Sequence, residues 1–339
     1  MNNQVVLVTG ISGQLGSHMA EECLNNGAKV IGIIRRSSAP NLWRIQHILN
    51  HPNIMLLEGD GVDATFINSV ISRYRPDIVM NYMAQSHVAT SFVQPAYTAE
   101  ITGKSVLYLL EAIKNFSPNT RLIHAATSEQ FGDQFDIIDG QKYQDENTKM
   151  NIQSPYGNAK LEAYNYVRLY RNSYNIFATN IIMFNCESPR RAELFVTRKI
   201  TKYVAELQFA IKNNMKHPKL KLGNINSSRD WGAASDYIHA YLLAAKHHSP
   251  DDFVICTGET HTIKEFLTEA FSHIDISDWS EYVEIDESLK RPSEVEFLRG
   301  RYDKAKRILG WEPKIKFKEL VKIMVDADIR RINNETKIL

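Results

Sequence analysis

The 339-residue chain suits one large α/β unit or two closely joined domains. Its 43% hydrophobic share, 23% charged share and net charge of +1, with no long basic run, point to a globular protein and away from nucleic acid. No apolar run approaches the roughly 20 residues of a membrane span, so neither membrane association nor a targeting segment is expected. Cys23, Cys186 and Cys256 are too scattered for a disulfide framework or a zinc site, so no metal is expected and a reducing cytoplasm is the expected compartment.

Residues 4–8 form a short apolar run with β-branched members and predict a buried strand. Gly10-Ile-Ser-Gly13-Gln-Leu-Gly16 follows and passes into a helical pattern. Glycines between a strand and a helix allow a tight turn whose backbone N–H groups approach a pyrophosphate closely. A second strand at 29–34 ends in Arg35-Arg36-Ser37. An acid there would bind the 2′-hydroxyl of NAD; two arginines and a serine suit a 2′-phosphate, and so NADP. A solvated basic loop is the competing reading.

Further strands are expected at 54–57, followed by Asp60, at 77–80, leading to Ala84-Gln-Ser-His87, and at 121–126, ending in Thr127-Ser-Glu129. His87 is expected to be a satisfied structural histidine. A helix is expected over 100–114. The alternation predicts a doubly wound parallel sheet of the Rossmann type.

Pro155 can open a helix, which stacks Tyr156 and Lys160 four residues apart on one face. A neighbouring ammonium can bring a phenol from its usual value of about 10 toward neutrality, so that Tyr156 takes a proton from a substrate hydroxyl. An amphipathic helix with an exposed lysine is the alternative. After a strand at 176–183, Arg190, Arg191, Arg198 and Lys199 crowd together and could clamp phosphates. A return toward the sheet is expected near 222–237, and a further strand ends at 255–258. The domains so drawn are a cofactor-binding unit at 1–183, with a return segment at about 224–257, and a smaller substrate unit at 184–223 and 258–339.

The motifs GISGQLGS, GIIRRSS, AQSHV, ATSEQFG, SPYGNAK, ESPRRAELFVTRK, RDWG, TGE and RPSEV resemble those of the extended short-chain dehydrogenase/reductases, and among them the GDP-mannose 4,6-dehydratases. The likeness runs from residue 4 to about 328. It implies a lyase of nucleotide-sugar metabolism that makes a deoxysugar precursor. NADP contacts are implied at Gly10, Gly13, Gln14, Gly16, Arg35, Arg36, Ser37, Asp60, Gly61, Ala84, Gln85, Ser86, Tyr97, Tyr156, Lys160, Cys186 and Arg191. Catalysis would fall to Thr127, Glu129, Tyr156 and Lys160. The GDP-sugar would meet Ser86, Glu129, Asn185, Val196, Lys199, Leu222, Gly223, Arg229, Arg291 and Glu294.

The sequence departs from the family pattern at Leu15 for Asp, Cys186 for His and Ala192 for Gly. Gln130-Phe131 replaces Leu-Tyr, and Gly61 replaces the Leu after Asp60. In the expected chemistry Tyr156 takes the C4 hydroxyl proton, Thr127 orients that oxygen, and Glu129 removes the C5 proton and assists loss of the C6 hydroxyl. An epimerase or reductase, or a dehydratase of a related GDP-sugar such as a GDP-heptose, is the alternative. The loop at 35–41 resembles a segment shared between subunits, which implies a homo-oligomer, a tetramer before a dimer.

Overall fold

The computed structural model describes residues 1–289, 293 and 295–335. The apolar runs become strands β1 (Val5–Thr9), β2 (Lys29–Ile34), β3 (Ile54–Glu58), β4 (Ile78–Asn81), β5 (Arg121–Thr127), β6 (Ala178–Met183) and β7 (Asp252–Ile255). They form one sheet in the order β7-β6-β5-β4-β1-β2-β3, with every neighbouring pair parallel. Continuous Val, Ile and Leu runs suit this arrangement because helices cover both sides of a parallel sheet.

The longer helices are α1 (Gln14–Asn25), α2 (Ala64–Tyr74), α3 (Ser105–Phe116), α4 (Pro155–Tyr174), α5 (Val196–Lys212), α6 (Ala234–Lys246), α7 (Ile263–Ser272) and α8 (Phe317–Glu335). On one face Met19 and Leu24 of α1 and Tyr237 and Tyr241 of α6 pack against Val6, Val8 and Ile181. On the other face Ile67 of α2, Leu109 of α3 and Val167 of α4 pack against Leu7, Val79 and Leu122. Each fully buried side chain of this kind contributes roughly 1.5–3 kcal/mol relative to exposure. A third cluster joins Val204 of α5, Phe266 of α7 and Val321 of α8 around Trp231, outside the sheet.

Two features differ from the sequence expectation. The helix foreseen over 100–114 begins as a π-helical turn, Ala99–Lys104, before α3. The return toward the sheet is also indirect. Trp231–Ala233 pairs with Asn185–Glu187 in a separate parallel ladder, and only then does α6 lead back to β7 at the sheet edge.

Strand order reverses between β1 and β4, and the crevice of a doubly wound sheet opens outside the carboxyl ends at such a point. Gly10 follows β1 with φ of 63°, and a Cβ there would stand 3.2 Å from the Tyr82 carbonyl oxygen beyond β4. The turn therefore lies directly on the switch point.

Candidate active site

The first turn of α4 is fixed before its side chains act. Ser154 Oγ accepts the Gly157 N–H at 3.0 Å, and Pro155 takes the first helical position. A Cβ on Gly157 would lie 3.0 Å from the Glu129 carbonyl oxygen, so glycine lets this turn close tightly on the Ser128–Gln130 turn that ends β5. That 3-10 turn is itself clamped. Thr127 Oγ1 accepts the Glu129 N–H at 3.3 Å, while Gln130 Oε1 accepts the Thr127 N–H at 3.0 Å. Thr127, Glu129, Tyr156 and Lys160 consequently line one crevice of about 590 Å³.

The electrostatics correct one expectation. Burial pushes the Tyr156 phenol up to about 12; a hydrogen bond with Thr127 and the Arg191 charge oppose this, and the Glu129 charge adds to it. Lys160 is not among the groups acting on the phenol. Its ammonium donates to the Ala125 carbonyl of β5, and burial alone brings it down to about 7. Desolvation dominates because both side chains are enclosed by protein. The cation that favours the phenolate here is Arg191, with Nε 3.3 Å from Glu187 Oε2 and its guanidinium 3.5 Å over the Phe195 ring.

The glycine turn forms the floor of the crevice. A Cβ on Gly16 would meet the Gly10 carbonyl oxygen at 2.2 Å, and Gly13 caps α1 without a side-chain hydrogen bond. Gln14 Nε2 donates to the Cys186 carbonyl at 2.9 Å, and Ser188 Oγ donates to Gln14 Oε1 at 2.9 Å, tying the turn to the 186–188 segment. Arg35 reaches the rim and donates to the Tyr97 hydroxyl at 2.8 Å. Gln85 is set by donation of its N–H to Thr102 Oγ1 of the π-helical turn at 3.0 Å. Asp60, Gly61, Ala84, Ser86, Asn185 and Arg229 line the same crevice, and Asn185 Oδ1 is buried with no hydrogen-bond partner among the described residues. An α1 start without a side-chain cap, glycines that admit no Cβ and an unpartnered carbonyl oxygen fit a dinucleotide beside a polar ligand.

Other expected residues lie apart from the crevice. Arg36 and Ser37 are exposed on the loop beyond β2 and do not line it. Val196 opens α5, Lys199 Nζ donates to the Lys221 carbonyl at 2.8 Å, and Leu222 is buried next to Gly223. These four form a group on the C-terminal lobe. Arg291 and Glu294 lie outside the described residues.

Sequence reading missed Met83 and Phe195 as lining residues. A Cβ on Gly61 would come 1.9 Å from Met83 Sδ, so the departure at Gly61 leaves room for that thioether. Phe195 supports Arg191 on one side and meets the His87 ring edge-on at 5.4 Å on the other. His87 also accepts the Thr90 N–H at the start of a short helix, so its structural role stands beside a place at the crevice wall. The aromatic in Phe-Val-Thr-Arg was the available signal for Phe195.

The family profile described as GDP-mannose 4,6 dehydratase matches residues 7–324. The GDP-mannose 4,6 dehydratase 1 of Arabidopsis thaliana is 42% identical over 342 residues, covering 98% of this chain and 91% of that protein. The GDP-mannose 4,6 dehydratase of Homo sapiens is 40% identical over 349 residues, covering 96% and 91%. Among solved structures, a UDP-glucose 4-epimerase from Thermotoga maritima with UDP-glucose superposes with a TM-score of 0.83 at 23% identity, covering 97% of this chain and 99% of that one. RMD from Pseudomonas aeruginosa, complexed with NADPH, superposes with a TM-score of 0.76 at 20% identity, covering 97% and 100%. At these identities the two structures speak for the fold.

Proposed function

The chain belongs to the GDP-mannose 4,6-dehydratase family, and from that membership we infer that it is a hydro-lyase converting GDP-mannose to GDP-4-dehydro-6-deoxy-mannose. The observation that carries this reading is the carboxylate of Glu129 in one crevice with Thr127, Tyr156 and Lys160. Epimerisation or reduction on this fold needs the tyrosine and lysine but no carboxylate for elimination.

NADP, when bound, would supply the hydride acceptor for C4 and the hydride donor for C6, so the reaction would consume no reductant. The glycine turn at Gly10, Gly13 and Gly16, with Gln14, Asp60, Gly61, Ala84, Gln85, Ser86 and Tyr97, would hold it, and Arg35 would favour its 2′-phosphate. We assign Arg36 and Ser37 the same phosphate, reached by movement of their exposed loop. Cys186 and Arg191 would flank the reacting end, and Lys160 would hold the cofactor from α4.

Tyr156, as the phenolate that Arg191 favours, accepts the C4 hydroxyl proton as the carbon becomes a ketone, with Thr127 donating to that oxygen. The ketone acidifies C5–H. Glu129 takes the C5 proton and passes it to the departing C6 hydroxyl, which leaves as water; when hydride is added at C6, C5 regains one proton, matching the one Tyr156 removed from the C4 hydroxyl, so protons balance over the cycle. Asn185 and Arg229, with Val196, Lys199, Leu222, Gly223, Arg291 and Glu294 of the C-terminal lobe, are assigned to the nucleotide-sugar. Residues 1–183 with the return segment at about 224–257 then form the cofactor unit, and 184–223 with 258–339 the substrate unit. Cys186 and Ala192 line the crevice where the family has His and Gly, and they favour a related GDP-sugar as the second reading. We further propose a homo-oligomer, a tetramer before a dimer, joined through the exposed 35–41 loop, in a reducing cytoplasm.

The test is exchange of the C5 hydrogen. Glu129→Gln leaves the redox pair intact, so a single turnover should still generate NADPH absorbance and a bound 4-keto sugar. Deuterium incorporation at C5 and loss of water should fall about 10²–10⁴-fold, the range for a positioned acid–base group. Wild-type dehydration by this variant would make Glu129 a bystander and move the epimerase or reductase reading ahead.

A further inference from the structure

On the far side of the glycine turn a second cleft of about 380 Å³ is lined by His18, Trp43, Arg44, His47, Arg190 and Arg331, together with Pro189. None of these residues lines the catalytic crevice. We propose that this cleft is a second anion site, taking a ligand of the diphosphate class.

Among the described residues, the ion pairs around it leave positive charge in excess. Arg198 Nη2 and Arg331 Nη1 both rest on the same oxygen, Asp328 Oδ1, at 2.8 and 2.7 Å. Arg190 Nη2 and His47 Nε2 both rest on Glu21 Oε1. Among the described residues Arg44 forms no ion pair: its Nε donates to the Arg190 carbonyl at 2.7 Å and its Nη1 to the Ser12 carbonyl at 3.3 Å. Four guanidiniums thus share two carboxylates. The nearby Glu193 is already taken by Lys202 at 2.6 Å, and Glu187 by Arg191.

Buried donors mark the same deficit. Arg198 is 4% exposed, and its Nε and Nη1 have no hydrogen-bond partner among the described residues. Burial first, then the Arg198, Arg331, Arg190 and Arg191 charges, hold Arg44 below its ordinary value. Burial and Arg190 lower His18 to about 4, so it is neutral at pH 7 and the positive charge comes from the arginines. Arg198 lies behind the cleft lining, and the lining arginines are partly buried; like charges so placed are stabilised by a multivalent anion, and planar guanidinium forks match phosphate oxygens two at a time.

Trp43 makes the cleft observable. It is 43% exposed, with the Arg44 and Arg331 guanidiniums 4.4 and 5.2 Å from its ring centroid. Ligand phosphates drawing either cation away would change the indole's surroundings. Arg44 also holds the carbonyl of Ser12, which lines the catalytic crevice, so the two sites share one turn.

The experiment uses the full chain saturated with NADP⁺, so that the crevice's own phosphate contacts are occupied. Inorganic pyrophosphate is titrated and followed by calorimetry and tryptophan fluorescence, with ADP as a second arm. The expected result is one saturable site per chain that weakens with added salt. Arg44→Gln and Arg331→Gln should each weaken binding about tenfold, as loss of one charge-assisted contact predicts. Trp43→Phe should keep the calorimetric binding and lose the fluorescence change. Tighter binding of ADP than of pyrophosphate assigns a nucleotide stacked on Trp43; equal binding assigns the free diphosphate. Either agrees with the proposal. Absence of saturable binding overturns it, as does binding that is unchanged in both arginine variants. A drop in oligomer mass in those variants without any pyrophosphate binding also overturns it, assigning the cleft to acids of a second copy.

Discussion

At Tyr156 and Lys160, two neighbours on one helix face, burial acts on both groups and moves them in opposite directions. Four residues on a helix place both side chains on one face whatever surrounds them. Their proton affinities depend on what encloses them, and here burial lifts the phenol to about 12 and lowers the ammonium to about 7. Linkage gives Lys160 a sign. Its folded value is depressed from the ordinary 10.5, so between about pH 7 and 10 the unfolded chain binds more protons and stability should rise with pH. The burial cost is fully present below pH 7. Lys160→Met removes the ammonium, so its melting temperature should exceed that of the wild type at pH 6.5, with the gap narrowing by pH 9. An equal gap at both pH values would place Lys160 in a hydrated state at odds with its burial. Thr127 and Glu129 were legible as polar residues ending a strand, while the capping box that orients them shows only in the fold.

Among the elements, the long buried strands were legible because continuous apolar runs leave few alternatives. The two- and three-residue ladders, such as Trp231–Ala233 on Asn185–Glu187, are too short to show any period. The π-helical turn escaped for a different reason: its residues suit an ordinary helix, and the wider turn arises where Gly103 packs against α4. A Cβ there would meet Glu162 Oε2 at 2.4 Å and the Ala159 carbonyl at 3.2 Å. Through Thr102 this turn holds Gln85, so an element invisible in the sequence sets a crevice residue. Gly61 and Met83 form a second coupling of this kind. Gly61→Leu should drive Met83 into the crevice and weaken NADP binding about tenfold, in line with overpacking costs of roughly 1–3 kcal/mol. Met83→Ala in the same chain should restore most of the affinity. If cofactor titration shows the double variant as weak as Gly61→Leu alone, the two residues do not compete for that space.

Across the whole molecule, Asp230 joins segments that are far apart in the chain. Its buried carboxylate accepts from Thr257 N at 2.8 Å, Thr257 Oγ1 at 2.7 Å, Gly258 N at 2.9 Å and Gly300 N at 3.2 Å. Burial nevertheless raises it to about 6. The strand Ser228–Arg229, the loop beyond β7 and the segment at Gly300 are therefore tied to one carboxylate, beside Arg229 at the crevice wall. Asp230→Asn turns an amide N–H toward backbone donors and should cost about 1–3 kcal/mol in denaturant unfolding, the cost of unsatisfied buried polar groups. A variant as stable as the wild type would show that this junction does not depend on the carboxylate. RDWG and TGE were visible as separate motifs; their joining through one side chain depends on contacts of residue 230 with residues 257 and 258 that spacing does not encode.

The most direct measurement of the central claim is the mass of the product formed when the purified protein, loaded with NADP⁺, is incubated with GDP-mannose. The expected product has lost one water, with no net change in NADPH absorbance over many turnovers. A product of unchanged mass, or a stoichiometric consumption of NADPH, would contradict the assignment of Glu129 to elimination and of the chain to dehydration.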